Sequence, residues 1–498
     1  MKITFSPVSR VSGLLSIDLY VNPAGWVTEA NVSGEQFRGF EAMLRGRRLP
    51  DCVYFTQRIC GICSMAHGFT AARLVERICG VKPDPEALLL QQAMLGAEFL
   101  QNHIRHFYLL ALPDYLDTEM RVVPGAGLPY LAGAAPEHSR LSPTRQQSYL
   151  DHTFAAVAAS RKCHEMLAVF GGKIPHQHGL TAGGVTVCPD ADRRKQFMAL
   201  HQQVTEFIHH IMLPDVSYLA ETYPECAYTG AGPGRFLSYG LFDPGLGGHF
   251  PSGLWVNDGA RTRFQPLQPE EISESIAFAW FTADSAVTGE LDPAGSVPDP
   301  EKPDSTKPEP LKPAPGKPGA YTWVKAARYQ GLAFEGGPLA RQIIRNHTNG
   351  NRIIGPAGTT ARLQARATEA ALIAGWIREW MERLPPKGRY FTPPVQPVLA
   401  TAFQANDAPR GPLLHAASVS GETIAAYQII TPSTWNFAPK DETGERGPAE
   451  TALIGAKATP DNMTEPGRII RSFDPCISCA THLMDLRGEH KMTVQILV

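Results

Sequence analysis

Leu15, Ile17, Leu19 and Val21 alternate with Ser16, Asp18 and Tyr20, the period-two pattern of a strand with one buried face. Gly25 supplies a turn and residues 27–32 follow, so 3–33 is predicted to be β with a hairpin. The period then lengthens. A helix is predicted from about 63 to 79, stopping at Gly80 as a C′ glycine. Asp84 and Pro85 suit the N-cap and first position of a helix over 84–112, where Leu88, Met94, Leu95, Phe99, Ile104 and Leu110 recur at helical spacing. Amphipathic helices follow at 143–169, 189–212 and 356–383, the last closed by Pro385-Pro386. β-like segments return at 413–419 and 423–430. Residues 289–319 are rich in Pro, Glu, Asp and Lys. They lack core-forming capacity and read as a solvated loop inserted in a single domain covering 1–498. The whole pattern predicts an α+β fold, with a large helical-bundle core and small peripheral β-sheets.

Composition narrows the function classes. At 498 residues the chain can bury a large core. Lys plus Arg is 46 and Asp plus Glu is 48, so the net charge of -2 points to no nucleic acid and no acidic membrane. No apolar run approaches the ~20 residues that span a bilayer. Residues 1–11 lack the basic and apolar regions of a secretory signal. Of nine cysteines, Cys52, Cys79, Cys163, Cys188 and Cys226 are scattered singles. They read as small buried hydrophobes, neither a disulfide framework nor an iron–sulfur pattern.

The other four carry the chemistry. They form two Cys-x-x-Cys pairs near opposite ends: Arg58-Ile59-Cys60-Gly61-Ile62-Cys63 and Asp474-Pro475-Cys476-Ile477-Ser478-Cys479-Ala480-Thr481-His482. Such a pair can place both sulfurs on one metal. Structural zinc normally draws on pairs within about twenty residues of each other, and here the gap exceeds four hundred. A thioredoxin-like redox pair would leave the second pair unexplained. On spacing alone, a shared soft-metal site and two unrelated pairs both stand. A shared site requires the two ends of the chain to converge.

The residues around the pairs go further. Arg-Ile-Cys-Gly-Ile-Cys followed by Ser64-Met65-Ala66-His67, with the terminal Asp-Pro-Cys-x-x-Cys-x-x-His, resembles the large subunit of nickel–iron hydrogenases. Phe37-Arg38-Gly39-Phe40-Glu41, Gly171-Gly172-Lys173-Ile174-Pro175-His176, Ala408-Pro409-Arg410-Gly411 and Thr431-Pro432-Ser433-Thr434-Trp435-Asn436 extend the likeness through the chain. The quinone-site subunits of respiratory NADH dehydrogenases are distant cousins, but they lack the four cysteines.

The resemblance implies a catalytic subunit that cleaves H2 reversibly and heterolytically. Cys60 and Cys476 would bind nickel alone. Cys63 and Cys479 would bridge to an iron bearing carbon monoxide and two cyanides. Arg410 would hang over the metals, held by Asp114 and Asp474. Ser433 would bond a cyanide, Leu413 would pack beside the ligands, and His67 would bond the Cys63 sulfur. The proton would go to Cys476 or Arg410, and arginine is a poor base, which favours the thiolate. Glu41 and His482 would hold a magnesium-type ion.

Ser12 stands where the family usually has the glutamate of the first proton relay. A hydroxyl passes a proton but does not hold one at neutral pH, so Ser12 is expected to work with water or with Glu35. The resemblance further implies an iron–sulfur small subunit, a maturation chaperone, and a protease that removes residues 483–498. The location would be the cytoplasm or a membrane reached through the small subunit. A different class of function is a degenerate scaffold that kept the fold and binds zinc; Ser12 favours it, and the intact cysteines oppose it.

Overall fold

The computed structural model describes residues 1–117, 139–257, 262–282, 289–290, 311–349, 357–385 and 387–480. Its elements are small antiparallel sheets set around long helices. Lys2–Phe5 (β1), Leu15–Val21 (β2) and Val27–Gly34 (β3) make the first sheet in the order β1-β2-β3. The helices Ser64–Ile78 (α1), Pro85–Arg105 (α2), Pro143–Gly171 (α3), Ala191–Phe207 (α4), Leu213–Thr222 (α5), Pro338–Thr348 (α6) and Thr359–Arg383 (α7) follow. Thr401–Ala408 (β4), Gly411–Ser420 (β5) and Thr423–Ile430 (β6) form a meander. Thr464–Ser472 (α8) precedes the second cysteine pair.

α2 is the hub of the bundle. Every residue from 91 to 104 is buried, and the helix packs on both α3 and α7. That enclosure explains its polar content, because Glu98, Asn102 and His103 each find a partner there.

Hydrophobic burial brings the chain ends together. The inward residues of the first sheet, among them Leu15, Ile17, Leu19 and Val32, share one cluster with Ile469, Ile470, Phe473 and Ile477 around α8. At roughly 1.5–3 kcal/mol for each large side chain buried, this contact outweighs the loop-closure entropy, which grows only logarithmically with chain length.

Several expectations need correction. The helix expected over 84–112 is regular only as far as Arg105; His106–Ala111 widens and Leu112–Tyr115 tightens. Asp84 sits at the N-cap, but its carboxylate accepts from the Thr392 hydroxyl instead of from the helix. α5 and α6 were not anticipated as separate helices. Cys188 is exposed, unlike the other four single cysteines. Within 289–319, Gly289–Glu290 pairs with Ile272–Ser275, and Lys312–Pro313 pairs with Phe281–Thr282; residues 291–310 lie outside the described residues. So do His482 and the segment 483–498. Among the described residues no helix is long and apolar enough to cross a membrane.

Candidate metal centre

Cys60 follows a tight turn with an extended backbone, and Cys63 occupies the N-cap position of α1. On the other side α8 ends at Phe473, and Asp474 turns the chain with a left-handed φ of 61. Pro475 and Cys476 come next, and the short helix Ile477–Ala480 carries Cys479. The N-terminal loop grips this turn. The Ser12 amide donates to the Pro475 carbonyl at 3.1 Å, and the Ile477 amide donates to the Ser12 carbonyl at 2.7 Å.

All four Sγ atoms consequently lie within 4.8 Å of one another and are buried. Cys60 Sγ is 3.4 Å from Cys476 Sγ, and Cys63 Sγ is 3.6 Å from Cys479 Sγ. Four thiolates this close repel unless a cation lies among them. Hydrogen bonds from the neighbouring sulfurs, Cys476 first, hold the Cys60 thiol well below its ordinary range. Cys63 is pushed well above it by Cys476, and Cys479 by burial. A buried, all-sulfur donor set of this size suits a soft transition metal.

A small cavity beside the sulfurs is lined by His67, Pro409, Arg410, Pro432 and Ser433 along with Cys63, Cys476 and Cys479. Arg410 reaches it because β4 and β5 form a hairpin. Ala408 pairs with Gly411, leaving Pro409 and Arg410 as a two-residue tip. Its Nε stands 3.0 Å from Asp474 Oδ1, an ion pair without hydrogen-bond geometry, and both Nε and Nη1 are buried without a hydrogen-bond partner. An orphaned guanidinium donor at the cavity fits a missing ligand there. Burial disfavours the Arg410 charge, but Asp474 and then the cysteine sulfurs hold its pKa well above the usual value. Ser433 Oγ accepts from the Cys476 amide at 3.0 Å. Leu413 is fully buried in the cluster that contains all four cysteines.

The structure does not bring every expected residue here. Asp114 does not hold Arg410. Its carboxylate pairs with Arg10 and with Arg471, the latter at 2.9 Å. Burial disfavours its charge, yet the two guanidinium groups keep its pKa below the usual carboxylate range. Asp474 alone takes the role predicted for both aspartates. His67 lines the cavity, but its Nδ1 pairs with His415 Nε2 at 3.2 Å, and His415 Nδ1 pairs with the Tyr427 hydroxyl. Ser12 Oγ lies 3.7 Å from Cys476 Sγ. Glu35 does not join Ser12; it accepts from the Ser16 hydroxyl at 2.5 Å. Glu41 accepts from the Ile429 amide at 2.8 Å, with Lys325 Nζ at 3.7 Å. Burial raises its pKa against the pull of Lys325. Its expected companion, His482, lies outside the described residues.

The sequence model of the nickel-dependent hydrogenases matches residues 38–123 and 129–482. The chain belongs to this family. It is 31% identical to the periplasmic [NiFeSe] hydrogenase large subunit of Desulfomicrobium baculatum, over 100% of this chain and 98% of that one. It is 29% identical to the quinone-reactive Ni/Fe-hydrogenase large chain of Wolinella succinogenes, over 98% and 96%. It is 26% identical to the hydrogenase-1 large chain of Escherichia coli, over 99% and 97%. Among solved structures, the reduced Ni-Fe-Se hydrogenase of D. vulgaris Hildenborough superposes with a TM-score of 0.86 at 31% identity, covering 97% of this chain and 100% of that one.

In this hydrogenase, sequence reasoning missed the residues behind Asp474. Asn102 Nδ2 donates to Asp474 Oδ2 at 2.8 Å, and Arg366 Nη2 stands 3.8 Å from the same oxygen. Burial disfavours the Asp474 carboxylate, but Arg410, His106, Arg366 and the Asn102 hydrogen bond together hold its pKa far below normal. The signal was present in α7. Arg362, Arg366 and Glu369 recur at helical spacing on its buried face, and charges there require partners.

Proposed function

We propose that this hydrogenase chain is the catalytic subunit of a nickel–iron enzyme that interconverts H2 with protons and electrons. The observation that carries the reading is the set of four buried sulfurs within 4.8 Å, with an unpartnered Arg410 donor at the same cavity. Cys60 and Cys476 are assigned to nickel. Cys63 and Cys479 would share in holding it together with an iron that bears carbon monoxide and two cyanides. Bound there, this group supplies the site at which H2 is polarised and split.

The protein supplies the rest. The Arg410 guanidinium offers a fixed positive charge and a free N–H to an anionic ligand in the cavity, and Asp474 sets its direction. The Ser433 hydroxyl, accepting from the Cys476 amide, keeps its own proton to donate into the cavity. Cys476 takes the proton at Sγ, because a guanidinium held this strongly in its charged form is a poor base. Ser12, beside Cys476 Sγ, is the first group able to pass that proton on, with water and without Glu35.

The remaining assignments follow the same reading. Glu41 and His482 would hold a magnesium-type ion. The relatives' name "large subunit" implies a small subunit, and the scattered cysteines make no iron–sulfur cluster, so the iron–sulfur clusters and the electron exit are assigned to that partner. That subunit also decides whether the complex stays in the cytoplasm or sits at a membrane; one relative is named periplasmic. A chaperone loads the metals. The family match stops at His482, and we place protease cleavage between His482 and Leu483. The intact mass of nickel-loaded protein is expected to lack the last 16 residues; a full-length mass would overturn this.

An infrared spectrum of the anaerobically purified complex tests the centre. Bands of iron-bound carbon monoxide and cyanide are expected. Metal-loaded protein that contains zinc and shows no such bands would establish the scaffold alternative instead.

A further inference from the structure

Helix α1 begins under an unusual constraint. The first amides of any helix have no partner within it, and a side-chain oxygen at the N-cap normally accepts from the second or third. Here the N-cap residue is Cys63, whose sulfur faces Cys479, and it makes no capping hydrogen bond. These amides are buried, so leaving them unpaired would cost about 1–3 kcal/mol each.

A carboxylate from another helix fills the gap. Glu98 of α2 is 1% exposed. One of its oxygens accepts from the Met65 amide at 2.6 Å, and the other accepts from the Ala66 amide at 2.8 Å. Both oxygens are therefore spent on the turn that starts at Cys63 and carries His67, two residues that line the cavity. Burial pushes the Glu98 pKa up to about 8, against the two amide hydrogen bonds, which favour its charged form.

We propose that Glu98 is a positioning residue of the metal centre, which caps α1 from outside so that Cys63 is left free to act as a ligand and is held at one place and angle. This rests on the assignment of Cys63 as a metal ligand. Glu98 touches neither the cavity nor any sulfur. It acts through the backbone of Met65 and Ala66.

The test uses Glu98→Gln in the complete, metal-loaded complex. The amide keeps one acceptor oxygen and turns an N–H toward the second backbone donor. Three results are expected. The carbon monoxide and cyanide bands shift from their wild-type positions at unchanged nickel and iron content. kcat falls about tenfold with KM for H2 held, the pattern of a misplaced centre. Hydrogen exchange accelerates at the Met65 and Ala66 amides and not along the rest of α1.

A role in stability alone would lower the melting temperature and leave the bands of the loaded enzyme in place, and that result overturns the proposal. If Glu98→Gln does not assemble, Glu98→Asp keeps the carboxyl group with a shorter reach, and wild-type bands there overturn it equally. Nickel-loaded wild type without the bands would instead overturn the reading of the centre, with hydrogen exchange left to judge the cap by itself.

Discussion

Gly13 has a φ of +92, and a Cβ built on it would lie 2.6 Å from the Ser478 amide nitrogen and 2.8 Å from its hydroxyl. The first contact is backbone, so it cannot turn aside. Gly13→Ala is expected to cost about 1–3 kcal/mol and to loosen the grip of the N-terminal loop on Cys476. Nickel content and thermal unfolding of the complex measure both, and unchanged values would show that the loop yields freely.

Glu35 gives the opposite prediction. It is tied to Ser16 and not to Ser12. Glu35→Gln should leave hydrogen–deuterium exchange activity at the wild-type level, and a large loss would place Glu35 on the proton route after all. Motif position alone suggested Ser12, and the structure does set it beside Cys476. Ser12 and Glu35 lie outside the strands and are drawn to different partners: Ser12 bridges to Cys476, whereas Glu35, just past the end of β3, takes the Ser16 hydroxyl.

At the scale of elements, helix periods were readable and helix interruptions were not. α1, α3 and α7 lie close to their predicted spans because apolar spacing and Pro or Gly punctuation are local signals. The widened turn after Arg105 begins at His106, whose Nε2 donates to the Arg471 carbonyl at 2.6 Å, a partner from the far end of the chain.

Contacts between helices also carry a pH dependence. His201 of α4 donates to the Ala374 carbonyl of α7 at 2.8 Å. Burial, opposed by that hydrogen bond, lowers its pKa to about 4. The unfolded imidazole titrates near ~6.5. Above that pH the group is neutral in both states. As pH falls toward about 4, the unfolded chain takes up a proton that the folded chain refuses, so stability is lost across this window. His201→Gln can keep the hydrogen bond and does not titrate. The stability advantage of wild type over this variant should therefore shrink from pH 6.5 to 4, by up to about 3 kcal/mol. Unfolding followed at several pH values checks this, and a gap independent of pH would refute it.

At the scale of the whole molecule, buried ion pairs join the bundle to the sheet that bears Arg410. Arg341 of α6 is fully buried. It bonds Glu369 of α7, Asp407 of β4 at 2.9 Å, and the carbonyls of Ala408 and Pro409 at 3.1 and 3.0 Å. One guanidinium thus anchors the hairpin whose tip is Arg410. Arg341→Met would strand two buried carboxylates at a cost of about 3–5 kcal/mol. The melting temperature should drop sharply, and the Arg410 tip should lose its register. A variant with wild-type stability would mean that solvent reaches the carboxylates.

The sequence by itself determined the two Cys-x-x-Cys pairs, the family motifs, the alternation of the first sheet and the long helices. Each depends on residue type at a fixed local spacing, which no fold can change. Only the tertiary structure decided which charges pair. Asp114 belongs to Arg10 and Arg471, Asp474 to Arg410, and Glu98 to the amides after Cys63. Ion pairs and caps of this kind form through space between residues tens to hundreds of positions apart. Burial selects among the partners, because a charge or amide removed from water binds whatever complementary group the packing has placed within reach.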